Sequence, residues 1–267
     1  MQNIAFAFLM TLLAGLSTGI GGALCFFAKR SNTKFLSASM GFSAGVMIYV
    51  SMIEMFAEAN HMLEESFGAK QGNLVTNLAF FGGMLLIALI DKLIPREGNP
   101  HEISQPISLQ QDESAHAHRL KRTGIMTAVV IALHNFPEGI AAFVSAMQSP
   151  RIAVPIVVAI AIHNIPEGIS VAMPVYYATG SRWKALMWSF LSGLSEPLGA
   201  VIGYLILLPF MTDAVYGVLF ASVAGIMVFI SMDELLPGAE VFGEHHLSMY
   251  GMVGGMIVMA LSLWMFK

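Results

Sequence analysis

Apolar residues run along this chain in eight long blocks, at roughly 4–28, 36–57, 73–94, 123–147, 152–177, 184–209, 213–236 and 247–266. Each is about 20 residues or a little more, the length at which a helix crosses a hydrocarbon core of about 30 Å. Polar residues gather at the joints, and only one joint is long: 96–122, "REGNPHEISQPISLQQDESAHAHRLKR". The pattern predicts an all-α integral membrane protein of eight transmembrane helices. It is a single transmembrane domain over 1–267 with one polar loop at about 96–122.

Composition points the same way. Of 267 residues, 56% are hydrophobic and 11% charged, far from the balance of a soluble domain. The start, "MQNIAFAFLM", lacks the basic region of a cleavable signal, so the first block reads as a retained helix. One cysteine, Cys25, allows neither an internal disulfide nor a thiolate cluster, and a net charge of −4 gives no case for nucleic acid. The 20 methionines read as flexible packing material.

Basic residues set the orientation. The joints after helices one, three and five hold Lys29, Arg30, Lys34, Lys92, Arg96, Arg119, Lys121, Arg122, Arg182 and Lys184, whereas those after two, four and six hold only Lys70 and Arg151. The first set belongs in the cytoplasm, which leaves both termini outside it.

The chemistry sits inside the apolar blocks. "IALHNFPEGI" at 131–140 returns as "IAIHNIPEGI" at 160–169. In each copy a histidine and a glutamate stand four apart on one helix face: His134 with Glu138, His163 with Glu167. The prolines between them, Pro137 and Pro166, free a helix carbonyl and favour a bend, and the glycines that follow, Gly139 and Gly168, admit a neighbouring helix. The turn "QSPR" at 148–151 folds the two helices into an antiparallel hairpin. Its register sets 134 level with 167 and 138 level with 163. A third carboxylate, Glu196 in "LSGLSEPLGAVIGY", lies within block six, again before a proline and without a basic partner in its span. An uncompensated charge at mid-bilayer costs several kcal/mol, so such residues mark ion pathways.

Three glutamates, two imidazoles and the amides of Asn135 and Asn164 suit a borderline divalent cation such as zinc, iron(II) or manganese, with room for two ions bridged by carboxylates. A purely structural reading, with packing histidines and protonated glutamates, needs the same coincidence on three helices. Axial haem histidines would not adjoin carboxylates, and HExxH and GxxxxGK[ST] are absent.

At these residues the chain resembles the ZIP family of divalent-metal transporters, and within it a compact bacterial branch. The likeness covers the eight blocks, "HNFPEG", "HNIPEG", "SGLSEPLG" and the histidine-bearing loop between helices three and four. It implies a 3+2+3 arrangement with inverted repeats, residence in a bacterial inner membrane, a homodimer, and metal import through a mid-membrane site, sometimes binuclear, on helices four, five and six. Carried over residue by residue, that site is His134, Asn135, Glu138, His163, Asn164, Glu167 and Glu196. The metal is then cargo and no cofactor is called for. The loop histidines His101, His116 and His118 are candidates to hold or sense metal after passage.

One repeat is visible independently. "AGVMIYVSMIEMF" at 44–56 matches "AGIMVFISMDELL" at 224–236. An odd number of crossings separates the copies, so they run oppositely, as in transporters whose site lies between inverted repeats. Glu54, Glu234 and Asp233 are thus candidate pathway or gate residues near opposite membrane faces. Met47 and Ser51 share the face of Glu54, and Met47 is a candidate soft ligand. Glu58, His61, Glu64 and Glu65 can attract cations at the entrance, or simply solvate a helix end. The expected function is secondary import of zinc and related divalent cations, including iron(II), manganese, cobalt and cadmium. The competing functions are a metal exporter, disfavoured because the chain has no cytoplasmic C-terminal domain, and a membrane-embedded dimetal oxidase, whose helices usually carry ExxH rather than HxxxE.

Overall fold

The structure is a computed structural model that describes residues 2–24, 26–27, 33–93, 128, 131–132, 135–147, 150–207, 210, 212–242 and 245–266. Among these residues every regular element is helical. Among the described residues six helices are long and apolar enough to cross a membrane: Ile4–Leu24, Ser37–Phe67, Ala69–Lys92, Arg182–Ile206, Asp213–Glu240 and His246–Met265. The two motif-bearing helices are α5 (135–147) and α6 (Pro150–Thr179).

The first helix is α1 (Gln2–Leu24). The second predicted span runs longer than its apolar block. Helix α2 (Thr33–Val50) passes through a π-helical turn (Ser51–Met55) into α3 (Phe56–Phe67), and only then does Gly68, at φ 82°, start α4 (Ala69–Leu93). Polarity ended the block at 57, but the residues beyond it are good helix partners. Asn60 donates to Glu64 at 2.8 Å, and His61 Nε2 lies 3.7 Å from Glu65 Oε1, both one helical turn apart. Glycine in the left-handed region is what stops the helix.

The prolines behave unequally. Helix α6 continues unbroken through Pro166, whereas the sixth span is interrupted at Leu194, between α7 (Arg182–Gly193) and α8 (Ser195–Ile202). Pro197 cannot donate to the Gly193 carbonyl. That carbonyl oxygen instead abuts Gly15 of α1. At Pro166 α6 absorbs the loss of one bond without breaking.

The later chain repeats the earlier one. Helix α9 (Asp213–Ile230) enters a second π turn (Ser231–Leu235) and continues as α10 (Leu236–Phe242), followed by α11 (His245–Phe266). Both π turns start at the same place in the repeated sequence, Ser51 and Ser231. The correspondence extends to packing. A Cβ at Gly45 or Gly255 would collide with the carbonyl of Met252 or Phe42, and one at Gly225 or Gly83 with that of Phe80 or Ser222. The α2–α11 contact is therefore reproduced by α9–α4, and "FFGGMLLIAL" at 80–89 matches "MVGGMIVMAL" at 252–261. Nearer the motif helices, Gly21 and Gly168 abut the Ile165 and Thr18 carbonyls, and Gly199 and Gly139 abut those of Phe136 and Glu196. The α1–α6 contact thus recurs as α8–α5. "GLSTGIG" at 15–21 answers "GLSEPLG" at 193–199, a third repeated pair, shorter than the other two.

Where two backbones touch at a glycine, dispersion replaces the hydrophobic drive that lipid cannot supply. Hydroxyls inside these helices bond back to their own carbonyls: Thr11 to Ala7 at 3.0 Å, Thr76 to Gly72 at 2.9 Å, Ser145 to Ala141 at 2.8 Å. This satisfies them without solvent. The aromatic rings of Phe8, Phe143 and Tyr204 meet with centroids 4.7 to 6.0 Å apart, locking α1, α5 and the end of the sixth span around the motif hairpin.

Candidate metal centre

The antiparallel hairpin fixes the site. Its register sets residue 138 level with 163, and His163 Nε2 lies 2.8 Å from Glu138 Oε1. The neighbouring pair is Asn135 and Glu167: with the Asn135 amide turned so that its nitrogen faces these acceptors, it donates to Glu167 Oε2 at 3.2 Å and to Ile131 O at 3.1 Å. The third pair reaches across to α8: Asn164 Nδ2 donates to Glu196 Oε1 and, at 3.0 Å, to the Ala14 carbonyl of α1. All six side chains are between 0% and 2% exposed. Burying carboxylates this deeply is tolerable only with hydrogen-bonding or charged partners, and Glu196 also lies within electrostatic reach of Glu138 and Glu167.

Local sequence explains why these groups converge. Gly139 and Gly168 place α8 and α1 directly against the motif helices, since a Cβ at either would strike a facing carbonyl. Glu196 stands at the start of α8, immediately after the break forced by Pro197, with its own carbonyl on Gly139. Glycine and proline thus set the spacing, and the polar residues fill it.

The centre consists of pairs rather than a cage. Among the described residues no three His, Cys, Asp or Glu side chains form a ready metal-holding group. His134, the remaining candidate of the motif, lies outside the described residues, as do His101, His116 and His118. Asn164 Oδ1 and Glu196 Oε2 in the centre are buried with no hydrogen-bond donor among the described residues. Buried acceptors of this kind are what a cation would complete.

The gate candidates sit elsewhere. Met47 and Ser51 are wholly buried in the packed α2 region, with Ser43 Oγ 3.9 Å from Met47 Sδ. Glu54 and Asp233 are half-buried within the two π turns; of Glu234, in the second turn, only the backbone is described. These residues belong to α2 and the π turns, whereas the six-residue centre is carried by α5, α6 and α8. What sequence reasoning missed is the part played by α1. Ala14 and Thr18 carry no chemical signature, although the "GLS" shared with the Glu196 segment was a signal.

An internally duplicated membrane bundle with carboxylates and an imidazole buried where its helices cross has the make-up of a cation transporter. The chain belongs to the ZIP zinc transporter family, whose sequence profile matches residues 92–263. It is similar to the zinc transporter ZupT of Streptococcus mutans, 58% identical over 265 residues and 99% of each chain. The ZupT proteins of Clostridium perfringens (55% over 278 residues, 100% of this chain and 98% of the relative) and Lysinibacillus sphaericus (56% over 266 residues, 98% and 97%) are similar throughout as well. The chain is a multi-pass membrane transporter and not an enzyme, and the oxidase and exporter readings lose their footing.

Proposed function

We propose that the protein imports divalent metal cations into the cytosol through a mid-membrane site formed by His134, Asn135, Glu138, His163, Asn164, Glu167 and Glu196. Zinc is the cargo named for the relatives. Iron(II), manganese, cobalt and cadmium are further cargoes that a mixed imidazole, carboxylate and amide set would accept. The observation that carries this reading is the His163–Glu138 approach at 2.8 Å, between residues on opposite arms of the hairpin and beside two more carboxylates. A cation arriving there meets imidazole nitrogen and carboxylate oxygen together. Glu196, with Asn135 and Asn164, serves a second, all-oxygen position bridged by the other glutamates.

The architecture goes with it. Eight membrane helices in a 3+2+3 order, with helices one to three repeated in inverted sense by six to eight around the four–five hairpin, account for every paired glycine contact described above. The protein is a single transmembrane domain of the bacterial inner membrane, a homodimer with both termini outside the cytoplasm. Its 96–122 loop is cytoplasmic, and His101, His116 and His118 there receive metal. Met47, Ser51, Glu54, Asp233 and Glu234 line the route to and from the site.

Radiozinc uptake by proteoliposomes tests the function: zinc should accumulate in liposomes carrying the protein and compete with iron(II) and manganese. Zinc efflux only, or no flux, would refute it. For orientation, Ser114→Cys in a Cys25→Ala background should resist impermeant thiol reagents outside intact cells, and rapid labelling would invert the topology.

A further inference from the structure

Asn164 is where the internal duplication of the bundle is broken. Its counterpart in the other motif copy, Asn135, with its amide turned to satisfy both neighbours, donates to the glutamate of the facing arm, Glu167, and to a carbonyl of its own segment. By the same pattern Asn164 would donate to Glu138. Glu138 instead stands against His163, and both amide hydrogens of Asn164 go elsewhere, to Glu196 Oε1 and to Ala14 O. The packing exchange that relates α8 to α1 puts Thr18 where α8 has Glu196, so α1 offers the centre a backbone carbonyl in place of a carboxylate.

The remaining valences are informative. Among the described residues Asn164 Oδ1 and Glu196 Oε2 are acceptors without a donor, carried by two residues already in contact. Among the described residues neither acceptor has a positive partner, and the only positive end within the pair is the amide N–H group of Asn164. The Ala14 carbonyl also accepts from Ser17 Oγ at 2.5 Å, so it would not be orphaned if Asn164 let go.

We propose that Asn164 is a placeholder for the cation. In the metal-free transporter its amide nitrogen gives Glu196 the positive partner that the metal gives in the loaded one, and its second hydrogen fastens α1 to α6. Loading turns the amide so that Oδ1 faces the metal, which releases Glu196 Oε1 and unfastens Ala14 at the same time. Occupancy is thereby coupled to the hold of α1 on the motif hairpin. This rests on the metal-site reading above and adds to it a role for the metal-free state.

The test is thermal unfolding of the detergent-purified full-length protein at pH 8, in chelator and in excess zinc. Asn164→Asp sets an acceptor where the donor stood, facing a carboxylate and a carbonyl. In chelator it should melt about 4–10 °C below wild type, as expected for orphaning buried acceptors in a protein of this size, and zinc should restore it. Glu196→Gln should lose less than about 3 °C, because the Gln oxygen still accepts from Asn164. The double variant Asn164→Asp/Glu196→Gln reverses donor and acceptor and should recover at least half the loss in chelator, which a generally damaged fold would not do. If Asn164→Asp alone gives no folded protein, its recovery by Glu196→Gln or by zinc supports the proposal equally, and failure of both overturns it. Wild-type melting in chelator for Asn164→Asp, while zinc still stabilises wild type, sinks the placeholder alone. Zinc that fails to stabilise wild type sinks the metal-site reading and the placeholder with it.

Discussion

The HNxPEG hairpin and the two π-turned helices are both products of duplication, but they use it differently. The hairpin copies are adjacent in the chain and run antiparallel, so unlike residues come level and His163 meets Glu138 at 2.8 Å. The π-turned copies are 180 residues apart, and each π turn packs against the straight part of the other copy, 231–235 on α2 and 51–55 on α9. There like residues are related instead, and Met47 and Met227, at equivalent positions, are both wholly buried. Adjacent duplication brings donors to acceptors and makes chemistry. Distant duplication makes a frame, in which a π turn is a place where a helix can change its register.

Breaking the hairpin should have the largest effect. Glu138→Ala or Glu167→Ala removes one of the proposed anionic ligands, and zinc uptake by proteoliposomes should fall at least about tenfold while membrane insertion stays intact, the loss expected when about 1.4 kcal/mol or more of site stabilisation goes. Retention of more than half the uptake in both variants would end the shared-site account.

Glycine substitutions separate frame from site. Gly225→Ala forces a methyl into the Phe80 carbonyl, and Gly168→Ala one into that of Thr18. Each should cost about 1–3 kcal/mol, seen as about 2–10 °C in melting temperature. Only Gly168→Ala should also change the relative uptake of zinc, iron(II) and manganese. Identical selectivity changes in both would merge the two regions into one.

A smaller contrast lies within the centre. Glu196→Gln should depress iron(II) and manganese uptake more than zinc uptake, by a factor of roughly 3–10, if Glu196 belongs to the proposed all-oxygen position. His163→Ala should do the reverse. Equal losses for every metal in both variants would mean that the positions act as one.

Smallest is the contrast between the paired π turns. Ser231 Oγ donates to Met227 O at 2.7 Å, whereas Ser51 Oγ is buried with no hydrogen-bond partner among the described residues. Ser231→Ala should cost about 1 kcal/mol and Ser51→Ala nothing, read by thermal melting. A loss of uptake in Ser51→Ala with unchanged melting would place Ser51 on the cation route.

Much of this was legible in the chain because it follows from periodicity and register. Apolar blocks showed helices, and the numbering of the HNxPEG copies gave the level of Glu138 against His163. The helix through 58–67 was hidden because polarity marks where a bilayer ends and not where a helix does; Gly68 ends that one. The break at Leu194 but not at Pro166 was hidden because a single missing N–H does not decide whether neighbouring turns hold. The share of α1 in the centre was hidden for a different reason. Its contribution is a backbone carbonyl at Ala14 and a glycine face, and neither has a side chain to read.

The most direct test of the account is X-ray absorption at the zinc edge on the purified, zinc-loaded protein. The hairpin predicts a first shell of nitrogen and oxygen at about 2.0–2.2 Å with imidazole scattering that weakens in His163→Ala and disappears when His134→Ala is added. A shell containing sulfur at about 2.3 Å, or imidazole scattering unchanged in the double variant, would place the metal outside the motif hairpin and contradict the account.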